Sequence, residues 1–451
     1  MFGPQIGGPA SAAGEASRSR IRGGIRNMKK RILPFGIVCV AVLCGALVTN
    51  WVVSGQMKMK PGEGFAAVPG KGGQDTFGPY DPVENWRKPL ATAYPEEKGW
   101  TYSQATDVWA EDGRVIVTEK GELPDLPMQG RGGIQTTWLP QIGPGLKFPV
   151  GGGVPLRETA GATPSCGDVP RPAENINCPM AKNGNQGRPN VDWKWKHVIV
   201  EFDKNGNVNV PASNIWGQYD KLWGRPHDVE ISPYDPEKHV WIVDADNHFV
   251  KEFTNDGSKV LLTLGTPGIP GTDDKHFARP TFIAFLDKNT FYLDDGYDGT
   301  RVIKYDMSGK KLLQWGEKGA PPNEKRPGYF NNVHGIAVNP QTHRVYINDR
   351  NNNRLQVFDE NGKYLDEWKF GAKGPSNIHA IYMGTNGTLW AFDQLTHKML
   401  GYDDKGNYLY SWGTFGTCEG CLWGVHGFTT DKDGNLWVAP GKGFTWLSGF
   451  F

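Results

Sequence analysis

A unit of four short β-type runs recurs through this sequence and constrains its fold more than any other feature. The runs return about every 45–54 residues, roughly the length of one propeller blade. The third copy has runs at residues 335–338, 345–350, 355–358 and 364–368, with an Asn-Gly hairpin signal before the last run. A parallel β-helix needs shorter and more uniform coils, and a sandwich does not repeat its turns. The repeat therefore predicts an all-β propeller.

The number of repeats predicts six blades. Four complete units begin near residues 228, 282, 335 and 380. Upstream, two strands in residues 106–118 and two in residues 197–210 enclose a Gly/Pro-rich insertion at about 121–192. Downstream, residues 427–438 begin a sixth unit, whose last two strands are either missing or supplied by the N-terminal region. The 60 Gly and 33 Pro residues suit these turns and exclude a long helical bundle, where they cost about 1 and 3 kcal/mol each.

The N-terminal region predicts a single transmembrane helix. Residues 1–31 hold seven basic groups and one acidic group, and the apolar run 32–53 follows them. A helix over this run is about 33 Å long, enough to cross a bilayer. Basic residues before the span predict a cytoplasmic N-terminus and a propeller outside the cytoplasm. A cleaved signal peptide is the alternative, but the run exceeds a usual signal core and no small-x-small site follows.

Residues 54–104 are polar and aperiodic, which predicts a linker between the anchor and a propeller at 105–451. Beyond residue 31 the chain has more acidic than basic side chains, so no basic patch indicates a nucleic-acid partner.

Four cysteines fall in the predicted exported region: Cys166, Cys178, Cys418 and Cys421. An even number there predicts one or two disulfides, with three possible pairings. Cys418-x-x-Cys421 is also compatible with a redox or metal motif. No His follows it, so c-type haem attachment is not supported, and a structural disulfide is favoured.

The blades resemble NHL repeats, in the pattern Val-x-Asp-x-x-Asn-x-x-Val/Leu-x-x-Phe followed by Asp-x-x-Gly. Residues 345–358 are the best copy, and the resemblance covers roughly residues 105–438. Because one fold serves many activities, this resemblance implies an architecture more than a function.

One position, directly before the first strand of each blade, holds His in four of five blades. The residues there are His227, Thr281, His334, His379 and His426. With the interrupted blade counted first, His227, His334 and His426 fall on blades two, four and six. Alternate blades are about 120° apart and their first strands line the channel, so three imidazoles should converge. Three His with an open fourth position is the arrangement of catalytic zinc. Capping of strand starts is the alternative, and His379 departs from the alternation.

Within the NHL group, the sequence looks most like the peptidyl-α-hydroxyglycine α-amidating lyases. This resemblance implies cleavage of a peptidyl-α-hydroxyglycine into a peptide amide and glyoxylate, a carbon–nitrogen lyase reaction with zinc as cofactor. It also implies that Tyr297, in Asp-Gly-Tyr, is the general base and that Arg350, in Asn-Asp-Arg, holds the substrate carboxylate. The alternatives are rim packing for Tyr297 and a salt bridge between blades for Arg350.

The sequence departs from that family at three points. Lys120 stands where the family has a second active-site Arg, and Lys lacks the planar fork of Arg. Gly427 stands where the family has an Asp that helps to bind structural calcium; Asp228 follows the first His but lies in another blade. The sequence also contains no copper monooxygenase half, so a hydroxylated substrate is expected to come from elsewhere.

The leading prediction is a membrane-anchored zinc lyase acting on a peptide or small-molecule substrate. The main alternative is a non-catalytic NHL propeller that binds a protein or peptide, with the insertion as its recognition element. A calcium-dependent lactonase is disfavoured, because its site uses Glu, Asn and Asp around the axis instead of three His.

Overall fold

The computed structural model describes residues 78–80, 82–83, 85–125, 190, 193–322, 324–370, 377–415, 420–422 and 424–440. The basic segment 1–31, the predicted span 32–53 and Cys166, Cys178 and Cys418 lie outside these ranges. Among the described residues, no helix is long and apolar enough to cross a membrane. Cys421 is described, and it is disulfide-bonded.

The chain enters through α1 (Leu90–Ala93), a 3-10 turn (Pro95–Glu97) and β1 (Trp100–Tyr102), which pairs with β4 (Glu122–Pro124). Blade 1 consists of β2 (Ala105–Glu111), β3 (Arg114–Glu119) and β5 (Ile199–Asp203), followed by α2 (Val210–Gly217) and a 3-10 turn (Asp220–Leu222).

Blades 2 to 5 are four-stranded antiparallel sheets in which each strand pairs with the next along the chain. Blade 2 holds β6 (Pro226–Ile231), β7 (Val240–Asp244), β8 (Phe249–Phe253) and β9 (Val260–Gly265). Blade 3 holds β10 (Ile283–Phe285), β11 (Thr290–Asp295), β12 (Arg301–Asp306) and β13 (Lys311–Trp315). The short parallel pair β14 (Glu317–Lys318) and β15 (Tyr329–Phe330) follows it.

Blade 4 holds β16 (Val333–Asn339), β17 (Arg344–Asp349), a 3-10 turn (Arg350–Asn352), β18 (Arg354–Phe358) and β19 (Tyr364–Lys369). Blade 5 holds β20 (Ile378–Met383), β21 (Leu389–Asp393), β22 (Lys398–Tyr402) and β23 (Tyr408–Trp412). A two-stranded sheet of β24 (Val425–Thr430) and β25 (Leu436–Pro440), called sheet 6 below, ends the described chain.

The all-β propeller is confirmed, whereas the prediction of six blades is not, because the described residues form five blades. In the described residues, five blades have three or four strands and sheet 6 has two. Sheet 6 packs against β20 of blade 5 on one side and β2 of blade 1 on the other. The described sheets therefore form a closed ring although the last one is incomplete.

The core of the described fold lies between neighbouring sheets. One hydrophobic cluster fills each junction around the ring. Between blades 2 and 3, for example, Trp241 and Val243 pack against Phe291 and Leu293. Each buried side chain of this size contributes about 1.5–3 kcal/mol. Because successive sheets hold one another in place, the first strands keep a fixed arrangement around the channel.

Two elements differ from the sequence prediction. The predicted strand near residues 208–210 is an isolated bridge at Val208, and a helix begins at Val210. Pro211 explains the change, since its fixed φ suits the first turn of a helix and it cannot donate to a sheet. The last part of the predicted linker is packed: Trp86, Leu90 and Tyr94 are buried against blade 1. Their apolar side chains outweigh the polar composition around them.

The residues on either side of the insertion meet beside blade 1. Glu122 and Lys194 form a bridge in which each backbone N–H donates to the other residue's carbonyl, at 2.8 and 3.0 Å. The intervening insertion therefore interrupts blade 1 without separating its strands.

Candidate functional site

A shift in strand register occurs at the channel end of the first strand in five sheets. It spans Ala105/Asp107, Pro226/Asp228, Val333/Ile336, Ile378/Ala380 and Val425/Gly427. A β-bulge leaves its extra residue unpaired and redirects the side chain. The residues within these shifts include Thr106, His227, His334, His379 and His426, four of which were singled out by the sequence.

These side chains form a closed ring of hydrogen bonds around the channel. Each one donates to a backbone carbonyl at the start of the next sheet: Thr106 Oγ1 to Pro226 O (2.6 Å), His227 Nδ1 to Thr281 O (2.9 Å), Thr281 Oγ1 to Val333 O (3.1 Å), His334 Nδ1 to His379 O (2.7 Å), His379 Nδ1 to Val425 O (2.8 Å) and His426 Nδ1 to Thr106 O (2.7 Å). A carbonyl only accepts, so each of these imidazoles carries its proton on Nδ1. In the neutral ring, Nε2 then carries the lone pair and can only accept.

Three of the imidazoles meet in one place. Potential ligand atoms of His227, His334 and His426 lie within 4.8 Å of one another, and the three side chains are buried. Burial lowers the pKa of all three well below the usual value, and the nearby charges of Arg225 and Arg350 lower those of His227 and His334 further. The rings are therefore neutral at neutral pH, the form in which imidazole binds metals.

Tyr297 completes this cluster from the loop after β11. Its Oη lies 2.9 Å from His227 Nε2 and 2.9 Å from His334 Nε2. Both nitrogens are acceptors, and the hydroxyl has one proton, so only one of the two contacts can be a hydrogen bond. A cation bound by the three nitrogens would remove this conflict, because it accepts lone pairs and needs no proton. The donor set therefore fits a His₃ metal centre.

His379 lies beside the cluster without joining it. Its ring stacks on that of His334 at 5.1 Å with an interplanar angle of 3°, and lies 4.9 Å from that of His426. Its Nδ1 makes the same bond to the next sheet as the other three do. This fourth imidazole supports the ring of hydrogen bonds rather than the group of three.

Arg350 and Lys120 lie on the same rim as Tyr297. Arg350 Nε donates to Asn377 Oδ1 at 3.1 Å, burial lowers the pKa of its guanidinium, and Arg350 interacts electrostatically with Tyr297. Lys120 Nζ donates to Gln104 Oε1 at 2.6 Å, and its charge acts on His426. The three residues predicted to be catalytic are thus brought together with the three predicted metal ligands.

Two arginines of this rim were missed in the sequence. The guanidinium carbons of Arg225 and Arg279 lie 4.9 and 4.6 Å from the ring centroid of Tyr297. Each stands two residues before a channel residue, in Arg-Pro-His and Arg-Pro-Thr. That shared repeat position is the signal that could have revealed them.

Parts of this chain are similar in sequence to known proteins. The NHL repeat family matches residues 330–358, which include His334 and Arg350. Peptidyl-alpha-hydroxyglycine alpha-amidating lyase 1 of Drosophila melanogaster is 33% identical over 246 residues, covering 43% of this chain and 44% of that protein. Peptidyl-glycine alpha-amidating monooxygenase A of Xenopus laevis is 32% identical over 173 residues, or 38% of this chain and 18% of that protein.

Human NHL repeat-containing protein 3 is 33% identical over 198 residues, covering 40% of this chain and 55% of that protein. The chain is an NHL-repeat propeller that resembles the amidating lyases. The matched part of the chain spans about half or less of each of these three relatives.

The departure at Gly427 has a structural explanation in this NHL propeller. A Cβ at position 427 would lie 1.7 Å from Asp107 Oδ1, so the Asp107 side chain fills the space that a residue larger than Gly would need. The side chains of Asp107 and Asp228 are hydrogen-bonded to each other, and burial raises the pKa of Asp107 to about 6 and that of Asp228 well above its usual value. Two carboxyls in contact cannot both ionise, so the pair shares a proton. A structural calcium stays a prediction.

A second cluster of possible ligands has a different character. Glu97, Glu122 and His197 lie close together and are buried. Lys194 pairs with Glu97, and Lys196 Nζ lies 2.5 Å from Glu97 Oε1. His197 Nδ1 lies 2.6 Å from Glu122 Oε1. The two ammonium groups already supply the positive charge, so this cluster is an ion-pair network where the insertion joins blade 1.

Proposed function

We propose that this chain is a zinc-dependent lyase that cleaves a peptidyl-α-hydroxyglycine into a peptide amide and glyoxylate. The proposal rests on one observation. The imidazoles of three His and the Tyr297 hydroxyl lie together below a rim that holds Arg350. Relatives named for this activity support it.

His227, His334 and His426 would hold the ion. When bound, it would supply a Lewis acid that lowers the pKa of the substrate hydroxyl. The Nδ1 bonds to backbone carbonyls would fix the orientation of the three rings, as partners of ligand imidazoles commonly do.

The residues of the chain have separate roles in this proposal. Arg350 binds the substrate carboxylate through a bidentate pair. Tyr297 Oη, in its deprotonated form, takes the proton of the substrate hydroxyl as general base. As the carbonyl of glyoxylate forms, the carbon–nitrogen bond breaks, its electron pair goes to nitrogen, and Tyr297 passes the proton on to nitrogen to give the amide. Lys120 adds positive charge beside His426.

We further propose that residues 32–53 anchor the chain by a single pass and that the propeller acts outside the cytoplasm. The basic residues before the apolar run support this orientation. A protease added to intact cells should then cleave the propeller and leave the N-terminal segment protected.

The test is metal analysis combined with a glyoxylate assay on the purified full chain. We expect one zinc per chain and glyoxylate release from an α-hydroxyglycine peptide. His334→Ala should lose the zinc and lower kcat/KM at least about 100-fold. His343→Ala is the matched control, because His343 is half-exposed and pairs with Glu360 away from the channel. Bound zinc without glyoxylate would indicate another substrate, and absence of metal would favour the binding propeller.

A further inference from the structure

Positive charge exceeds negative charge around Tyr297. Four cations surround it or the imidazoles below it: Arg225, Arg279, Arg350 and Lys120. Asp246 is the buried carboxylate that pairs with this group, and the charges of Arg225 and Arg279 hold its pKa below the usual value despite burial. The charges of Asp244 and Asp298 also act on Arg225, so three carboxylates face four cations and the rim keeps a net positive charge.

Arg225 and Arg279 share a single oxygen of Asp246. Arg279 Nε lies 3.0 Å and its Nη2 2.9 Å from Asp246 Oδ1, in hydrogen-bond geometry for Nε. Arg225 Nη2 lies 3.1 Å from the same atom but makes no hydrogen bond there, and Arg225 Nε also lacks a partner among the described residues. Burying guanidinium N–H groups without hydrogen-bond partners lowers the stability of the fold, and a ligand that accepts from them would remove this cost.

Other acidic groups near the pair do not use these donors. Asp244 accepts from the backbone N–H groups of Gly224, Arg225 and Asn247 at 2.6–3.0 Å and so is satisfied within its own loop. Asp298 lies 3.8 Å from Arg279 Nη1, and its side chain is 57% exposed. An ion pair this long and this exposed is weak in water.

The backbone fixes the position of the pair. Arg279 N donates to His248 Nδ1 at 3.1 Å, and Arg279 O accepts from Tyr297 N at 3.1 Å. Arg225 is two residues from His227, whose ring is held by the hydrogen-bond ring. Both guanidiniums are therefore placed against Tyr297 before any ligand arrives, which reduces the entropy lost on binding.

We propose that the substrate carries two acidic groups: the carboxylate of the α-hydroxyglycine and the side-chain carboxylate of an acidic residue directly before it. This inference rests on the proposed lyase function. Arg350 forms no ion pair among the described residues and binds the first carboxylate. The Arg225–Arg279 pair, in which Arg225 Nε and Nη2 have no hydrogen-bond partner among the described residues, binds the second one beside Tyr297.

The test compares two peptides that differ in one residue, ending in Glu-α-hydroxyglycine and in Gln-α-hydroxyglycine. With zinc-loaded full chain, kcat/KM for glyoxylate release should be about tenfold or more higher for the Glu peptide. Arg279→Gln and, independently, Arg225→Gln should bring the ratio of the two values to within about twofold of one. Arg326→Gln should keep the ratio, because Arg326 is exposed and pairs with Glu324.

A binding measurement separates this inference from the lyase function. Peptides ending in Glu-Gly and Gln-Gly lack the hydroxyl, and their Kd values are measured by calorimetry. Equal glyoxylate release from both hydroxylated peptides would overturn the acidic preference and leave the lyase. No glyoxylate from either, with Glu-Gly binding about tenfold tighter and this preference lost in Arg279→Gln, would overturn the lyase and support the preference. No glyoxylate and equal binding would overturn both.

Discussion

Gly427 and Asp107 occupy one space at the channel, although 320 positions separate them in the chain. The Asp107 carboxyl lies where a Cβ of residue 427 would be, so either position can carry a side chain but both together cannot. The sequence shows Gly427 as a departure from the family. Only the structure shows that Asp107 fills the place, because the contact joins the two ends of the ring.

This exchange predicts the outcome of a double mutant. Gly427→Asp should lower the free energy of unfolding by at least about 2 kcal/mol through overpacking. Asp107→Gly in the same chain should recover most of that loss, and chemical denaturation measures both. Gly434→Asp is the control: nothing lies within 4 Å of a Cβ there, and Asp tolerates its positive φ. Additive losses in the double mutant would show that the two positions do not compete.

Asp294 is a buried carboxyl without a well-formed side-chain hydrogen bond among the described residues. Asp294 corresponds to Asn348 in the next blade. Each lies directly before the Asp that ends its strand, and that Asp pairs with an Arg. Asn348 Nδ2 donates to His334 O at 2.8 Å and to Ile378 O at 2.9 Å. Burial raises the pKa of Asp294 well above its usual value, so the folded protein favours the neutral acid.

Asp294→Asn should therefore stabilise the protein at neutral pH. A carboxyl whose pKa is raised by folding costs stability as pH rises above its unfolded value, near 4, and costs nothing below it. The gain should be about 1–3 kcal/mol at pH 7.5 and should shrink toward zero near pH 4. Thermal unfolding across this range measures it, and Asn348→Asp should show the reverse. A gain that does not change with pH would contradict the assignment.

The repeat predicted much of the site, because each residue was found by its place within one blade. His227, His334 and His426 share one repeat position, and Tyr297 and Arg350 follow the second strand of their blades. Contacts between blades were not predictable in this way. The pairing of Arg225 and Arg279 on Asp246 depends on how adjacent blades tilt, which no spacing within a repeat reports.

At the scale of elements, the hairpins of successive blades interlock through Gly and Trp. The hairpin glycines Gly362 and Gly406 would place a Cβ 2.6–2.8 Å from the indoles of Trp315 and Trp368, each in the last strand of the preceding blade. Gly78 has the same relation to Trp412 at 2.7 Å, and Tyr80 packs on that ring at 5.5 Å. The segment at residues 78–80 thus takes the place of a hairpin next to blade 5. This favours the alternative in which the N-terminal region completes the last blade.

Gly78→Val should consequently destabilise the ring although it lies outside the repeats. We expect a loss of about 1–3 kcal/mol, because the indole of Trp412 is held by the blade and cannot move far. Gly99→Val is the matched control, since it also has positive φ but nothing within 4 Å of a Cβ. Denaturant midpoints of the two variants give the comparison. Equal losses would mean that backbone strain, and not the indole contact, sets the effect.

Helix α2 shows where element prediction failed. Its residues follow a strand and a hairpin, so their place in the repeat predicts a fourth strand. Pro211 and the residues around it favour a helix over a strand at this position. Trp216 then packs the helix into the junction with blade 2. Repeat position predicted the strands well only where local propensity agreed with it.

At the scale of the whole molecule, the ring is closed without a covalent link among the described residues, through contacts between sheet 6 and blade 1. Trp437 packs on Trp86 at 5.0 Å within the cluster that also holds Val108 and Phe202. The same junction carries the bond from His426 Nδ1 to Thr106 O. One of the three proposed ligands is therefore positioned by the closure of the ring.

Two tryptophans test whether closure positions the metal centre. Trp437→Ala and Trp216→Ala should each cost about 3–5 kcal/mol, because both remove a buried indole at a junction between sheets. His426, a proposed ligand, spans the junction at Trp437, whereas Thr106, which is not a proposed ligand, spans the junction of blades 1 and 2 at Trp216. Below the unfolding temperature, Trp437→Ala should weaken zinc binding by about tenfold or more, whereas Trp216→Ala should change it less than about threefold. Zinc titration with a competing chelator measures both. Equal weakening would mean that the centre depends on overall stability, and no weakening in either would mean that the hydrogen-bond ring holds His426 without the closing contacts.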